Sequence, residues 1–330
     1  VHNKYKDIKI SLYLKKSVME NLLSGLRAAG EPTRLRLLAL CAHGELSVTE
    51  LTQILGQSQP RVSRHLKLLV EAGLLERFRE GSLVFYRIAE GSEPSVLART
   101  LVDLLPSDDS ALNRDLLRLE NIRQKRMELA EAYFNENASD WNEIRKLHVP
   151  EKEVEALLLK LVGDEPVDSF LDIGTGTGRI LALLADRVRQ GLGIDNNTAM
   201  LSLARSYLEQ AKLKNVHVRK ADMYSMPLED RSIDLATVHL VLHHVQEPQL
   251  VINEAARTLR HNGRLLIIDF APHQEEQLRV EHNHQRLGFS DKEIRQSLSS
   301  AGLKVGKTHS LVGEPLTVNI WQASKADALH

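Results

Sequence analysis

Two spacings of apolar side chains divide the chain. Up to about Arg87, apolar residues recur every three or four positions in short runs, each ended by a glycine or a cap residue. From about Phe170 onward, short apolar runs alternate with such helical stretches, as in a parallel sheet covered by helices. In the first region Leu35, Leu37, Leu38 and Leu40 follow Pro32 and stop at His43-Gly44, which predicts a helix with proline at its start and glycine at its end. Ser47, with Glu50 three residues on, forms a capping box. It opens a helix carrying Leu51, Ile54 and Leu55 that ends at Gly56. Gln57-Ser58 opens a third helix from Gln59 to Val70, stopping at Ala72-Gly73, with Val62, Leu66, Leu69 and Val70 inward. Leu74 to Ile88 alternates and reads as a hairpin turning near Glu80-Gly81-Ser82. Two short helices joined by a glycine-containing turn, then a hairpin, make a winged helix-turn-helix.

Between the regions, Ser107 to Trp141 is charged and helical in period, with Leu112, Leu116, Leu117, Leu119, Ile122, Leu129 and Ala130 as an apolar stripe. Asn135 to Asp140 reads as a break and Val149-Pro150 as a helix entrance. The expected organisation is a basic tail (1–18), a mostly α winged helix (19–106), a helical linker (107–150) and an α/β doubly wound, Rossmann-like domain (151–330). A length of 330 residues suits two cores, and 42% hydrophobic with 26% charged residues is ordinary for a globular protein. The net charge of −1 means that any nucleic-acid surface is local. Cys41, the only cysteine, excludes an internal disulfide and a multi-cysteine metal site. No apolar run is long enough for a bilayer and no signal pattern opens the chain, so a cytoplasmic setting without membrane contact is expected. In the tail, Lys4, Lys6, Lys9, Lys15 and Lys16 are interleaved with Ile8, Ile10, Leu12 and Leu14; this is read as a partly ordered tail, or else an arm touching DNA or a partner.

The third helix has a polar face. Gln59, Arg61, Ser63, Arg64, His65 and Lys67, with Gln57 and Ser58 before them and Arg79 near the wing tip, are the candidate DNA contacts. Arginine and glutamine can read base edges, while lysine and serine hold phosphates. The same shape also serves as a protein-interaction module. The stretches Glu31 to Leu38, Leu46 to Leu51 and Ser58 to Leu69 resemble the ArsR-type winged-helix repressors over about Leu22 to Ala89. That resemblance implies a homodimer on double-stranded operator DNA, one recognition helix per half-site, with Leu22–Leu26 and Ser95–Leu105 in the dimer contact. Ser47 and Thr49 stand where metal-sensing members carry a Cys-x-Cys pair, and Leu97 to Leu105 holds the lone acid Asp103; metal sensing is disfavoured.

In the second region Phe170-Leu171-Asp172-Ile173 runs into Gly174-Thr175-Gly176-Thr177-Gly178, a sharp turn that lets backbone approach a ligand. Alone, such a turn also suits nicotinamide or flavin. The strand Gly191 to Asp195 then ends in an acid that can accept both hydroxyls of a ribose. A third strand from Val216 runs to Asp222, which can accept from an adenine amino group beside the apolar Met223. This ordered set, with Ser232 to His239 and Leu259 to Phe270 as further strands, resembles the class I S-adenosylmethionine-dependent methyltransferases over about Glu153 to Trp321. The resemblance implies S-adenosylmethionine as cofactor, S-adenosylhomocysteine as product, and contacts from Asp172, Gly174, Thr175, Gly176, Gly178, Asp195, Asn196, Ala221, Asp222, Met223 and His239.

A sulfonium methyl is already electrophilic, so a general base is required only by some acceptors. Its candidates are His239, His243 and His244, although His243-His244 equally reads as a helix cap contacting backbone. His282-Asn283-His284 reads as part of a solvated helix, and no metal site is expected. The absence of an Asn-Pro-Pro-Tyr-like loop near Thr237–Leu240 argues against a nucleobase acceptor, and the single cysteine against arsenite. Arg286 to Ser290 is similar to methyltransferases of quinone biosynthesis, so a small-molecule acceptor is expected, its identity and the operator left open. Two roles fit: an active enzyme, or a non-catalytic repressor that senses S-adenosylmethionine or S-adenosylhomocysteine.

Overall fold

The computed structural model describes residues 19–80, 83–89, 93–126, 128, 150–281 and 284–326. The basic tail, the wing turn Gly81-Ser82, Leu129 and Ala130 of the apolar stripe, the break at 135–140, His282 and Asn283 lie outside them. The chain divides into two compact units, Val1–Lys125 and Arg126–His330.

In the first unit α1 (19–29) and α2 (Pro32–Cys41) precede β1 (Leu46–Ser47) and α3 (Val48–Leu55). Then come α4 (Gln59–Glu71), β2 (Leu75–Glu80), β3 (Leu83–Ile88), α5 (Glu93–Asp103) and α6 (110–126). Both capping-box bonds form: Ser47 Oγ accepts from Glu50 N–H at 3.3 Å, and Glu50 Oε2 accepts from Ser47 N–H at 2.7 Å. Gly56 closes α3 in the left-handed conformation (φ 64°) that glycine adopts most easily. The hairpin β2–β3 gains β1 as a third strand, in the order β1-β3-β2 among the described residues, because Leu46 and Ser47 pair with Tyr86 and Phe85. Leu37, Leu51, Ile54, Val62, Leu66 and Leu69 are fully buried in the core. Val70 is only half-buried. Cys41 lies in the same core, where burial pushes its thiol up to about 12, so it packs as an apolar side chain.

The stretch expected as a linker contributes α6, whose Leu119 and Ile122 join this core. Asp115 on the same helix is 2% exposed and takes a fork from Arg36, Nε to Oδ2 at 2.6 Å and Nη2 to Oδ1 at 2.7 Å. Leu116 and Leu117, also expected in the buried stripe, are exposed, as are Leu22, Leu23 and Leu26 of α1 and Val96 of α5.

The second unit opens with α7 (Glu151–Val162), β4 (Val167–Ile173), α8 (Arg179–Leu184), β5 (Val188–Asp195), α9 (Thr198–Gln210) and β6 (Val216–Lys220). It continues through β7 (Ile233–His239), α10 (Pro248–Thr258), β8 (Leu259–Phe270), α11 (Gln277–Glu281), α12 (Asp291–Ser300), β9 (Leu303–Leu311) and β10 (Val318–Lys325). Seven described strands form one sheet in the order β6-β5-β4-β7-β8-β10-β9. The first five are parallel, and β10 runs antiparallel between β8 and β9. Because side chains alternate along a strand, the sheet has a core on each face. Phe170, Leu266, Ile268 and Ile320 pack on one side with α7 and α9 residues. Leu171, Ile173, Ile267 and Trp321 pack on the other with α10 and α12 residues. Strand β8 carries an irregularity: Asn262 is left-handed (φ 62°), and the pairing with β7 shifts between Ile233 and Leu235. From β4 the order runs outward through β5 on one side and β7 on the other, which leaves a crevice at the carboxyl ends of these strands. Among the described residues no helix is long and apolar enough to cross a membrane.

Candidate functional site

The crevice is built on the turn between β4 and α8. Its three glycines are all left-handed, with φ of 70° at Gly174, 53° at Gly176 and 77° at Gly178. A Cβ on Gly174 would lie 2.5 Å from Val241 Cγ2, whereas one on Gly176 would meet nothing within 4 Å. The turn is therefore packed at its base and open at its middle, where bare backbone can face a ligand.

Asp172, at the end of β4, is 1% exposed. Its Oδ2 accepts from Thr175 Oγ1 and its Oδ1 from Thr237 Oγ1, both at 2.7 Å. Burial pushes this carboxyl up to about 6, against the two hydroxyls that favour its charged form. Asp172 thus ties β4, the turn and β7 together from beneath. Both of its oxygens take a threonine hydroxyl from within the domain. Thr175 is buried with it, and Ala221 packs in the core beside Ile194.

Asp195 ends β5 and is half-buried. Its Oδ2 accepts from Gly176 N–H at 3.0 Å and its Oδ1 from Asn197 N–H at 2.8 Å. A carboxylate has roughly four acceptor positions, so room remains for a vicinal diol. Asn196 is exposed beside it. Strand β6 stops at Lys220, two residues before the expected acid; Asp222 is exposed and accepts from Tyr224 N–H at 2.9 Å. Met223 is half-buried against the core, and His239 is half-buried at the end of β7.

The remaining histidines are placed differently from expectation. His243, 3% exposed, sits in a short 3-10 turn (Leu242–His244) with Nδ1 at 2.7 Å from Oδ1 of the fully buried Asp269. It is thus fixed by a carboxylate and does not cap a helix. His284 is 2% exposed, with ring centroids 4.2 Å from His243 and 5.0 Å from His244. The expected solvated helix is corrected here: α11 ends at Glu281, and the chain turns His284 inward against the 3-10 turn. Sequence reasoning passed over Asp269, although an acid inside the apolar run Leu265 to Phe270 is a signal that it is buried with a partner.

On the first unit, Ser58, Gln59, Arg61, Arg64 and Lys67 of the α4 region are exposed together with Arg79 of β2, while Ser63 is half-buried. Gln57 and His65 turn away from this surface. Gln57 Nε2 is 3.5 Å from Thr33 Oγ1, and His65 Nδ1 is 3.5 Å from Glu31 Oε2. The helical period explains His65, which lies three residues after the buried Val62 and one before the buried Leu66. Ser47, at the position of the first metal-sensing cysteine, is committed to its cap.

Comparison with known proteins finds both halves. A family model described as "Bacterial regulatory protein, arsR family" matches residues 31–77, and one described as "Methyltransferase domain" matches residues 164–309. The arsenic resistance transcriptional regulator ArsR1 of Pseudomonas putida is 37% identical over 100 residues, 30% of this chain and 77% of the regulator. The uncharacterized methyltransferase YcgJ of Bacillus subtilis is 28% identical over 143 residues, 43% of this chain and 56% of that protein. The ubiquinone/menaquinone biosynthesis C-methyltransferase UbiE of Teredinibacter turnerae is 32% identical over 120 residues, 35% of this chain and 48% of that enzyme. The chain thus spans about half the length of these two methyltransferase relatives.

Proposed function

This chain belongs to the ArsR family of bacterial regulatory proteins and carries a methyltransferase domain; from that premise we propose a DNA-binding regulator whose second domain binds S-adenosylmethionine and methylates a small molecule. The observation that supports the cofactor most directly is the bond from Gly176 N–H to Asp195, which holds an open glycine backbone beside a carboxylate with acceptor positions to spare. Asp195 would take the ribose hydroxyls, Asp222 the adenine amino group, and Met223 the face of the ring. Asn196 lines the same rim. When bound, the cofactor supplies an electrophilic methyl group, so alignment and exclusion of water are what the chain must provide. Among the candidate bases, His243 is buried against Asp269, which leaves the exposed His244 and the half-buried His239; His239, at the end of β7, is the one we assign to accept a proton from an acceptor hydroxyl or activated carbon. The likeness to a quinone-pathway enzyme favours an aromatic or quinol acceptor.

For the first domain we infer a homodimer on double-stranded operator DNA, with α4 in the major groove and Arg61, Arg64, Lys67 and Arg79 on the nucleic acid. Leu22, Leu23 and Leu26 on α1, with Val96 on α5 and Leu116 and Leu117 on α6, offer the apolar surface for that dimer. The burial of His243 also favours a second reading, in which the domain senses the cofactor or its demethylated product and transfers nothing. A ligand shifts operator affinity only by binding the two states unequally. Labelled-methyl transfer to a panel of quinols and phenols, run beside operator titrations with each nucleoside, separates the readings. A methylated product that disappears in His239→Ala supports catalysis. No product, with an operator affinity that moves on adding either nucleoside, supports the sensor. Neither product nor shift contradicts both.

A further inference from the structure

We propose that His243, His244 and His284 form a site for a divalent first-row transition metal, with zinc as the natural occupant and Asp269 as the outer partner that orients His243. One coordinating atom from each of the three rings lies within 4.8 Å of the others. A tetrahedral zinc site with bonds of about 2.0–2.1 Å sets its ligand nitrogens roughly 3.4 Å apart, so modest ring rotations close the cluster.

The backbone holds the ligands in place before any ion arrives. Gln285 and Arg286 donate their N–H groups to the carbonyl of His243, at 2.8 and 3.1 Å, and His284 N–H donates to Leu278 O at 3.1 Å. The 3-10 turn after β7 is thus stitched to the segment after α11, and 41 residues of separation collapse to one ring contact.

Asp269 decides which nitrogen of His243 faces the cluster. Its Oδ1 lies 2.7 Å from His243 Nδ1 and also accepts Phe270 N–H at 2.8 Å, while Oδ2 accepts His243 N–H at 3.3 Å. A carboxylate there keeps the proton on Nδ1 and leaves the Nε2 lone pair for an ion, the carboxylate–histidine–metal arrangement of zinc centres. Nitrogen-only donors suit zinc, copper, nickel and cobalt in preference to calcium or magnesium. His244 is exposed while His243 and His284 are buried, so solvent reaches the cluster on the His244 side, where a fourth ligand could be a water.

The test uses tag-free full-length protein, stripped with chelator and exchanged into metal-free buffer. Zinc is titrated by calorimetry, and cobalt is followed by its visible d–d absorption. The expected result is one saturable equivalent per chain with a tetrahedral or five-coordinate cobalt spectrum. Affinity should fall at least tenfold in His244→Ala and His284→Ala, and ten- to a hundredfold in Asp269→Asn. His261→Ala, an exposed histidine elsewhere, should leave the binding unchanged. Absence of saturable binding, or equal affinity in wild type and His244→Ala, overturns the site. His244 is exposed, so its variant keeps the comparison meaningful if the buried substitutions fail to fold.

Discussion

Gly176 donates its backbone N–H to Asp195 Oδ2 at 3.0 Å, so the carboxylate that ends β5 also holds the glycine turn that follows β4. The two strand ends are shaped as one object. A ligand that engages the carboxylate meets a turn already set beside it, and preorganisation of this kind lowers the ordering cost of binding.

The base of the turn should be intolerant of any side chain. Gly174→Ala puts a methyl 2.5 Å from Val241 Cγ2 at a φ of 70°. We expect a loss of stability of about 1–3 kcal/mol or more, read by urea unfolding. An unchanged midpoint would show that Val241 and the backbone yield freely.

On α4, exposed and inward polar residues should behave differently. Arg64→Ala should weaken specific operator binding by about 1–3 kcal/mol if it reads a base, and Lys67→Ala should reduce the salt slope by about 1. His65→Ala, half-buried beside Glu31, should act through stability and leave the salt slope intact. Fluorescence anisotropy at several salt concentrations checks all three. A changed slope in the His65 variant would return that side chain to the DNA surface.

The Asp172 carboxyl makes stability depend on pH in a stated direction. Burial raises it from 3.8 to about 6 in the folded chain, so folding favours its protonated form. Its contribution is present in full below the unfolded value and is lost as pH rises through about 6. Relative to Asp172→Asn, the wild type should therefore lose stability across that window. Parallel denaturant midpoints for the two proteins test this. A constant difference from pH 3.8 to 7 would contradict the raised value.

In the first unit, Asp115→Ala leaves the Arg36 guanidinium without its buried partner. A loss of about 3–5 kcal/mol is expected, with much of it recovered in Arg36→Met/Asp115→Leu, where neither charge remains. Thermal unfolding of the single and double variants decides. Additive losses would mean the pair is not coupled.

These residues also mark how far the sequence could be read. The capping box of Ser47 and Glu50, the end of α3 at Gly56 and the face of Val62, Leu66 and Leu69 follow from local rules, and local bonds realise them. The glycine turn and Asp195 were legible because their chemistry depends on spacing along consecutive strand ends. The burial of Asp172 was not legible, since Thr237, which bonds it, arrives from a strand 65 residues away. His284 and Asp269 were missed for the same reason, as nothing near either one names His243. In the stretch of α6, helical period predicted an apolar stripe, but tertiary contacts buried Asp115 and left Leu116 and Leu117 outside.

The central claim, that this crevice holds the methyl-donor nucleoside, is tested most directly by calorimetric titration of S-adenosylmethionine and S-adenosylhomocysteine into the full chain and Asp195→Ala. Saturable binding of at least one of them in the wild type, weakened tenfold or more in the variant while its fold is retained, is the predicted result. No heat and no thermal stabilisation with either nucleoside, or equal affinity in the two proteins, would contradict it.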